Sequence, residues 1–267
     1  MDFSSFSPAA TQYDGNNAYC LGQAASLAYK GEAEVRDATA ACGFSQFRFF
    51  DSRDTQAFMT ANANTVIVAF RGTQPADLKD WMTDADIVLV KGPYGLVHAG
   101  FQRGLTAVWP AIADTLSSFQ GAGKTVWFTG HSLGAALATL AVATLRAPPS
   151  GKAVQGLYTF GSPRVGDRTF EQGFDADCKG SCFRYVNNAD VVTRVPLRAA
   201  GYTHVGTFLY FDKDGTLHND ISFWDKFVDS VRANVEGLDK LSPEALAAHS
   251  MDRYLANLKK NVGTKLS

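Results

Sequence analysis

Charge of one sign, long apolar runs and clustered metal-ligand residues are all scarce in this sequence, and each scarcity narrows what the chain does. The 25 Lys and Arg are matched by 26 Asp and Glu, for a formal net charge of −1. No basic footprint invites nucleic acid as a partner. No run approaches the roughly 20 apolar residues of a membrane-spanning helix. The five His are scattered without metal-ligand spacing, so no metal site is expected. Cysteine is also sparse: Cys20, Cys42, Cys178 and Cys182. The last two lie close together in "CKGSC", where a local disulfide is one alternative and reduced, partly buried thiols the expected one. The opening "MDFSSFSPAATQYDG" has neither a basic n-region nor an apolar h-region. No secretory signal is expected, which leaves a cytoplasmic protein, export by a signal-less route, or a mature form.

What is present is an ordinary globular composition, 46% hydrophobic and 19% charged over 267 residues, enough for one large domain with a sizeable core. Nothing reads as a linker or a repeat, so residues 1–267 are expected to form a single domain. "NNAYCLGQAASLAY" (16–29) carries apolar residues at helical spacing, and so does "GFQRGLTAVWPAIADTLSSF" (100–119), where Pro110 predicts a kink. Strands are expected at 45–50, 55–61, 65–70, 85–90, 124–130, 153–161, 181–187 and 204–212. Two helices are expected near the end, 224–235 and 250–260, with Ser250 as the N-cap of the second. Near-continuous apolar strands alternating with helices predict an α/β fold around a largely parallel central sheet.

The chemistry-bearing stretch is "VWFTGHSLGAALATL" (126–140), in which Gly130-His131-Ser132-Leu133-Gly134 matches G-x-S-x-G. A bare match is common; the strand before it and the helix after it make it a nucleophile elbow rather than a glycine-bounded turn. At such an elbow the serine takes a strained backbone conformation and its neighbours must be small. Gly130, Gly134, Ala135, Ala136 and Ala138 meet that condition. The helix that follows points its N-terminal dipole at the developing negative charge.

A serine hydroxyl needs a base to take its proton and an acid to orient that base. In the α/β-hydrolase chain order, Ser then acid then His, His98 and His131 are disfavoured and His204, His218 and His249 remain. Asp190, in "FRYVNNADVVTRVP", lies just past an apolar strand at the sheet edge that carries the elbow; Asp167 is the runner-up. His204 opens a strand, His218 looks like an exposed turn residue, and His249 sits in a break before the helix capped by Ser250. Spacing alone does not decide among them.

With these residues in view, the sequence resembles the class 3 lipases, the fungal-type triacylglycerol lipases and their bacterial relatives within the α/β-hydrolase superfamily. The resemblance runs through "TVIVAFRGT", "DWMTDAD", "VHAGF", "VWFTGHSLGAALA", "YTFGSPRVGD", "NNADVVTRVP", "GYTHVG" and "HSMDRYL", in that order. It implies an α/β-hydrolase fold in which Ser132 is the nucleophile, Asp190 the acid and His249 the base, while His204 matches a position read as structural. It also implies an oxyanion hole from the backbone amides of Thr73, in "FRGT", and Leu133. "QPADLKDWMTDAD" (74–86) matches the family's lid, with Leu78, Trp81 and Met82 on one helical face. The implied function is cofactor-free hydrolysis of lipid esters, foremost acylglycerols, at a lipid–water interface. A soluble carboxylesterase, an sn-1 phospholipase or galactolipase, and a feruloyl esterase are compatible with the same scaffold. A non-catalytic lipid-binding protein is the rival from another class.

Overall fold

The computed structural model describes residues 1–74, 87–121, 123–219 and 243–266. The chain enters through helix α1 (Gly15–Leu27), whose N-cap Asp14 accepts from the amides of Asn16 and Asn17. Helix α2 (Glu32–Ala41) follows. Strands β1 (Gln46–Ser52), β2 (Thr55–Ala61) and β3 (Thr65–Phe70) then form an antiparallel meander. Strands β4 (Leu89–Lys91) and β5 (Leu96–His98) pair with each other beside the main sheet. After helix α3 (Ala99–Gln120) come β6 (Thr125–His131), helix α4 (Leu133–Arg146), β7 (Gly156–Phe160), helix α5 (Arg168–Cys178) and β8 (Cys182–Asn187). Strands β9 (Thr207–Phe211) and β10 (Leu217–His218) and helices α6 (Pro243–His249) and α7 (Met251–Lys260) complete the described strands and α-helices.

The main sheet runs β1-β2-β3-β6-β7-β8-β9-β10. From β3 to β9 every neighbouring pair is parallel, as the apolar strands predict. In β3, "TVIVAF", all six residues are buried. Val66, Val68 and Phe70 pack into one core with Leu105, Val108, Ile112 and Leu116 of α3 and with Phe170 and Phe174 of α5. Ile67 and Ala69 point the other way, toward Leu21 and Ala25 of α1 and Met251, Tyr254 and Leu258 of α7. The two-residue alternation of a strand thus feeds cores on both faces, and each buried Leu, Ile, Val or Phe contributes about 1.5–3 kcal/mol. The outcome is the α/β-hydrolase architecture, with the elbow on a central strand.

Several expectations shift. Helix α3 continues through Pro110, which lies on its exposed side. Of the strand expected at 85–90, Ile87 and Val88 are not extended into a ladder, and pairing starts at Leu89. Helices α2 and α5 were not expected. The helix expected at 224–235 lies outside the described residues. Ser250 does cap α7, accepting from the Arg253 amide. Cys178 and Cys182 are buried free thiols. Among the described residues, no helix is long and apolar enough to cross a membrane.

Candidate active site

Parallel pairing sets the site's geometry. Phe70 at the end of β3 lies opposite Gly130 in β6, and His131 lies opposite Phe160 in β7. The chain therefore leaves β3, β6 and β7 at one edge, where ligands bind in open α/β sheets. Ser132 follows β6 at φ 57° and ψ −131°, a left-handed strained backbone for a non-glycine residue. The close approach leaves no room for side chains at the flanking glycines. A Cβ at Gly130 would overlap the Gly134 carbonyl, and one at Gly134 would overlap the Phe70 carbonyl. Helix α4 starts at Leu133, so the Leu133 amide belongs to a first turn whose N–H groups have no intrahelical acceptor.

The loop after β3 crosses the elbow. A Cβ at Gly72, one residue before Thr73, would lie 3.0 Å from Ser132 Cβ. Among the described residues, Thr73 Oγ1 is buried without a hydrogen-bond partner, and so are Ser132 Oγ and His249 Nε2, which therefore do not bond to each other. Polar atoms left buried and unpaired are atypical of a folded core and are suited to receive a substrate.

His249 is the last residue of α6 rather than a loop residue, and the break expected there falls one residue later, at Ser250. Its Nδ1 lies 3.0 Å from both oxygens of Asp190. An ionised carboxylate only accepts, so Nδ1 carries a proton, and in the neutral ring Nε2 then presents a lone pair. Asp190 is fully buried. Its Oδ1 accepts from the Val192 amide at 2.9 Å and its Oδ2 from the Tyr254 hydroxyl at 2.6 Å. Burial alone would raise the Asp190 pKa, but His249 and the Tyr254 hydroxyl outweigh it and hold the carboxyl below its ordinary value. Gly161, one residue past β7, has φ +59°, and a Cβ there would lie 2.8 Å from Asp190 Oδ2 and 2.9 Å from the His249 ring. The Ser132 amide donates to Phe160 O at 3.0 Å, so the Phe160–Gly161 turn touches both the serine and the acid–base pair.

The remaining candidates take structural places. Asp167 caps α5, accepting from the Phe170 amide. His204 Nε2 lies 2.8 Å from Thr193 O. His218 lies 2.9 Å from Asp212 Oδ2, in β10. Leu78, Trp81 and Met82 lie outside the described residues, as does all of 74–86 except Gln74. Two supports had no sequence signal as site residues. Tyr254 reads as one more apolar position on α7. Asn187 closes β8 and donates its Nδ2 to Ala248 O at 2.8 Å, holding the residue before His249.

Comparison with known proteins places the chain in a family. The family model described as "Lipase (class 3)" matches residues 67–200, half of the chain. The secreted mono- and diacylglycerol lipase A of Penicillium cyclopium is 32% identical over 209 residues, covering 74% of this chain and 65% of that protein. The triacylglycerol lipase OBL1 of Ricinus communis is 30% identical over 223 residues, covering 61% of this chain and 42% of that protein. The match thus spans about two fifths to two thirds of these curated relatives. Among solved structures, the triacylglyceride lipase of Rhizomucor miehei superimposes with a TM-score of 0.61 at 25% identity, covering 78% of this chain and 81% of that one. The fold is that of a lipase-type α/β-hydrolase. The chain belongs to the class 3 lipase family.

Proposed function

We propose that the chain is a serine carboxylester hydrolase acting on lipid esters, with acylglycerols as the foremost substrate. His249 Nε2 takes the proton of Ser132 as Oγ attacks the ester carbonyl. The amides of Thr73 and Leu133 receive the oxyanion, and losing one such donor typically lowers the rate about 100- to 1000-fold. Asp190 keeps the proton on His249 Nδ1 and stabilises the imidazolium. His249 returns the proton to the leaving alcohol, and water then cleaves the acyl-enzyme with His249 again as base.

The observation that carries this reading is the buried Asp190–His249 pair beside a strained Ser132, with both His249 Nε2 and Ser132 Oγ unpartnered. Lipid as substrate class rests on family membership, and the apolar face of Leu78, Trp81 and Met82 read from sequence adds a lipid–water interface as the place of action.

A hydrolysis panel tests the proposal: p-nitrophenyl esters, triglyceride emulsions and phospholipid vesicles, each with Ser132→Ala as the blank. Turnover that vanishes in Ser132→Ala, with a jump in rate as the ester passes its solubility limit, is the expected result. Saturation on monomeric short esters and no rate on emulsions would move the assignment to a soluble carboxylesterase. Turnover retained by Ser132→Ala would overturn the mechanism.

A further inference from the structure

His131 precedes the candidate nucleophile, and the mechanism above gives its side chain no part. The fold nonetheless gives it two short hydrogen bonds. Its Nε2 lies 2.6 Å from the backbone oxygen of His249, and its Nδ1 lies 2.7 Å from the Tyr29 hydroxyl. The His131 and His249 rings stand 4.4 Å apart, tilted by 34°.

The protons on this chain follow from its ends. A backbone carbonyl only accepts, so His131 Nε2 must carry a hydrogen. Burial, reinforced by neighbouring His249, pushes the His131 pKa down to about 3. The ring is therefore neutral at ordinary working pH, its Nδ1 is an acceptor, and the Tyr29 hydroxyl donates to it. Tyr29 in turn sits against the loop after β3, where a Cβ at Gly72 would overlap its oxygen.

This arrangement answers a local need. His249 ends α6, so its carbonyl is one of the helix-terminal acceptors without an intrahelical donor. Asp190 fixes the imidazole at Nδ1, and Asn187 holds the carbonyl of the preceding Ala248. His131 adds an anchor on the His249 carbonyl itself, from the last residue of β6, the strand that ends in the elbow. Because it stays uncharged, it can stand beside His249 while the latter becomes an imidazolium, with no repulsion between like charges.

We infer that His131, backed by Tyr29, is a positioning residue: it pins the backbone of the base to the elbow strand and links the base to the loop that carries Thr73. The inference rests on the proposed role of His249 as base.

Steady-state kinetics on a soluble p-nitrophenyl ester test it, with circular dichroism and melting temperature recorded for each variant. His131→Phe keeps a flat ring but gives no N–H to the His249 carbonyl. It should lower kcat about 10- to 100-fold, the usual scale for a misplaced reacting group, with KM changed by less than about 3-fold. His131→Gln places an amide N–H at the reach of Nε2 and should recover about tenfold of that loss. Tyr29→Phe, which removes one atom, should lower kcat about 3- to 10-fold and carries the test if His131→Phe does not fold.

A folded His131→Phe or Tyr29→Phe enzyme with kcat within about 2-fold of the parent overturns the inference, whatever its melting temperature. So does a His131→Phe loss that His131→Gln leaves unrepaired. Ser132→Ala separates the two readings. Turnover retained there removes the proposed mechanism, whereas turnover lost there but kept in His131→Phe removes only the positioning role.

Discussion

The Tyr254 hydroxyl donates to Asp190 Oδ2 at 2.6 Å while His249 Nδ1 stands 3.0 Å from that same oxygen. One carboxylate oxygen thus serves a helix side chain and the candidate base together. Tyr254→Phe should leave that oxygen short of a donor in a fully buried place, with a stability loss of about 1–3 kcal/mol by urea unfolding. Activity should fall with it, on the order of tenfold in kcat, because the carboxylate gains freedom to turn away from His249. A variant as stable and as active as the parent would remove Tyr254 from the site's support.

Asp190→Asn keeps the shape and removes the charge. An amide that turns its NH2 toward Nδ1 favours the tautomer whose Nε2 carries the proton and accepts nothing from Ser132. A drop in kcat of about 10⁴ is expected, with the fold intact by circular dichroism. A drop of less than tenfold would mean that another group orients His249.

Gly161→Ala combines two penalties. The residue has φ +59°, which costs an L-residue about 1–2 kcal/mol, and the new methyl would press on Asp190 and His249. Both melting temperature and kcat should fall. In contrast, Gly31→Ala, where a Cβ meets nothing within 4 Å, should leave kcat unchanged.

The buried groups also predict how stability follows pH. His131 has a folded pKa of about 3 against an ordinary 6.5. Between those values the unfolded chain binds a proton that the folded chain refuses, so stability falls as pH drops below 6.5, by up to about 1.4 kcal/mol per pH unit. His204 is depressed in the same direction, first by burial and then by Arg184. Asp190 acts at lower pH. Its carboxyl is held below the ordinary 3.8, so its contribution is complete above that value and is lost as pH falls through the folded pKa. Urea unfolding at pH 7 and pH 5 checks the first window. His131→Gln should narrow the difference between the two conditions, and an unchanged difference would contradict the buried neutral histidine.

Strand β3 and helix α3 were legible because their patterns are strong: six buried residues in a row, and four apolar positions on one helical face. Helix α2 was not, because only Val35 and Thr39 of its ten residues are buried, too few for a 3.6-residue period to emerge. Ser132 was legible for a local reason, since strand, small residues and helix are contiguous. His249 was not legible from spacing, because its partner Asp190 is 59 residues away and only the closed fold unites them. The same holds for Tyr29 and His131, 102 residues apart. Chain order discards His131 as a base, and nothing in the linear pattern hints that it meets the base through its backbone.

The overlap that a Cβ on Gly134 would make with the Phe70 carbonyl has a consequence for how this scaffold diversifies. The places where charge develops and is received hang from two neighbouring strands held backbone to backbone, so their separation owes little to any side chain. Residues lining the approach to Ser132 are then free to vary without resetting that separation. For the proposed hydrolysis, which ester is admitted and how its carbonyl is attacked then become independent properties, one open to drift and the other tied to the sheet.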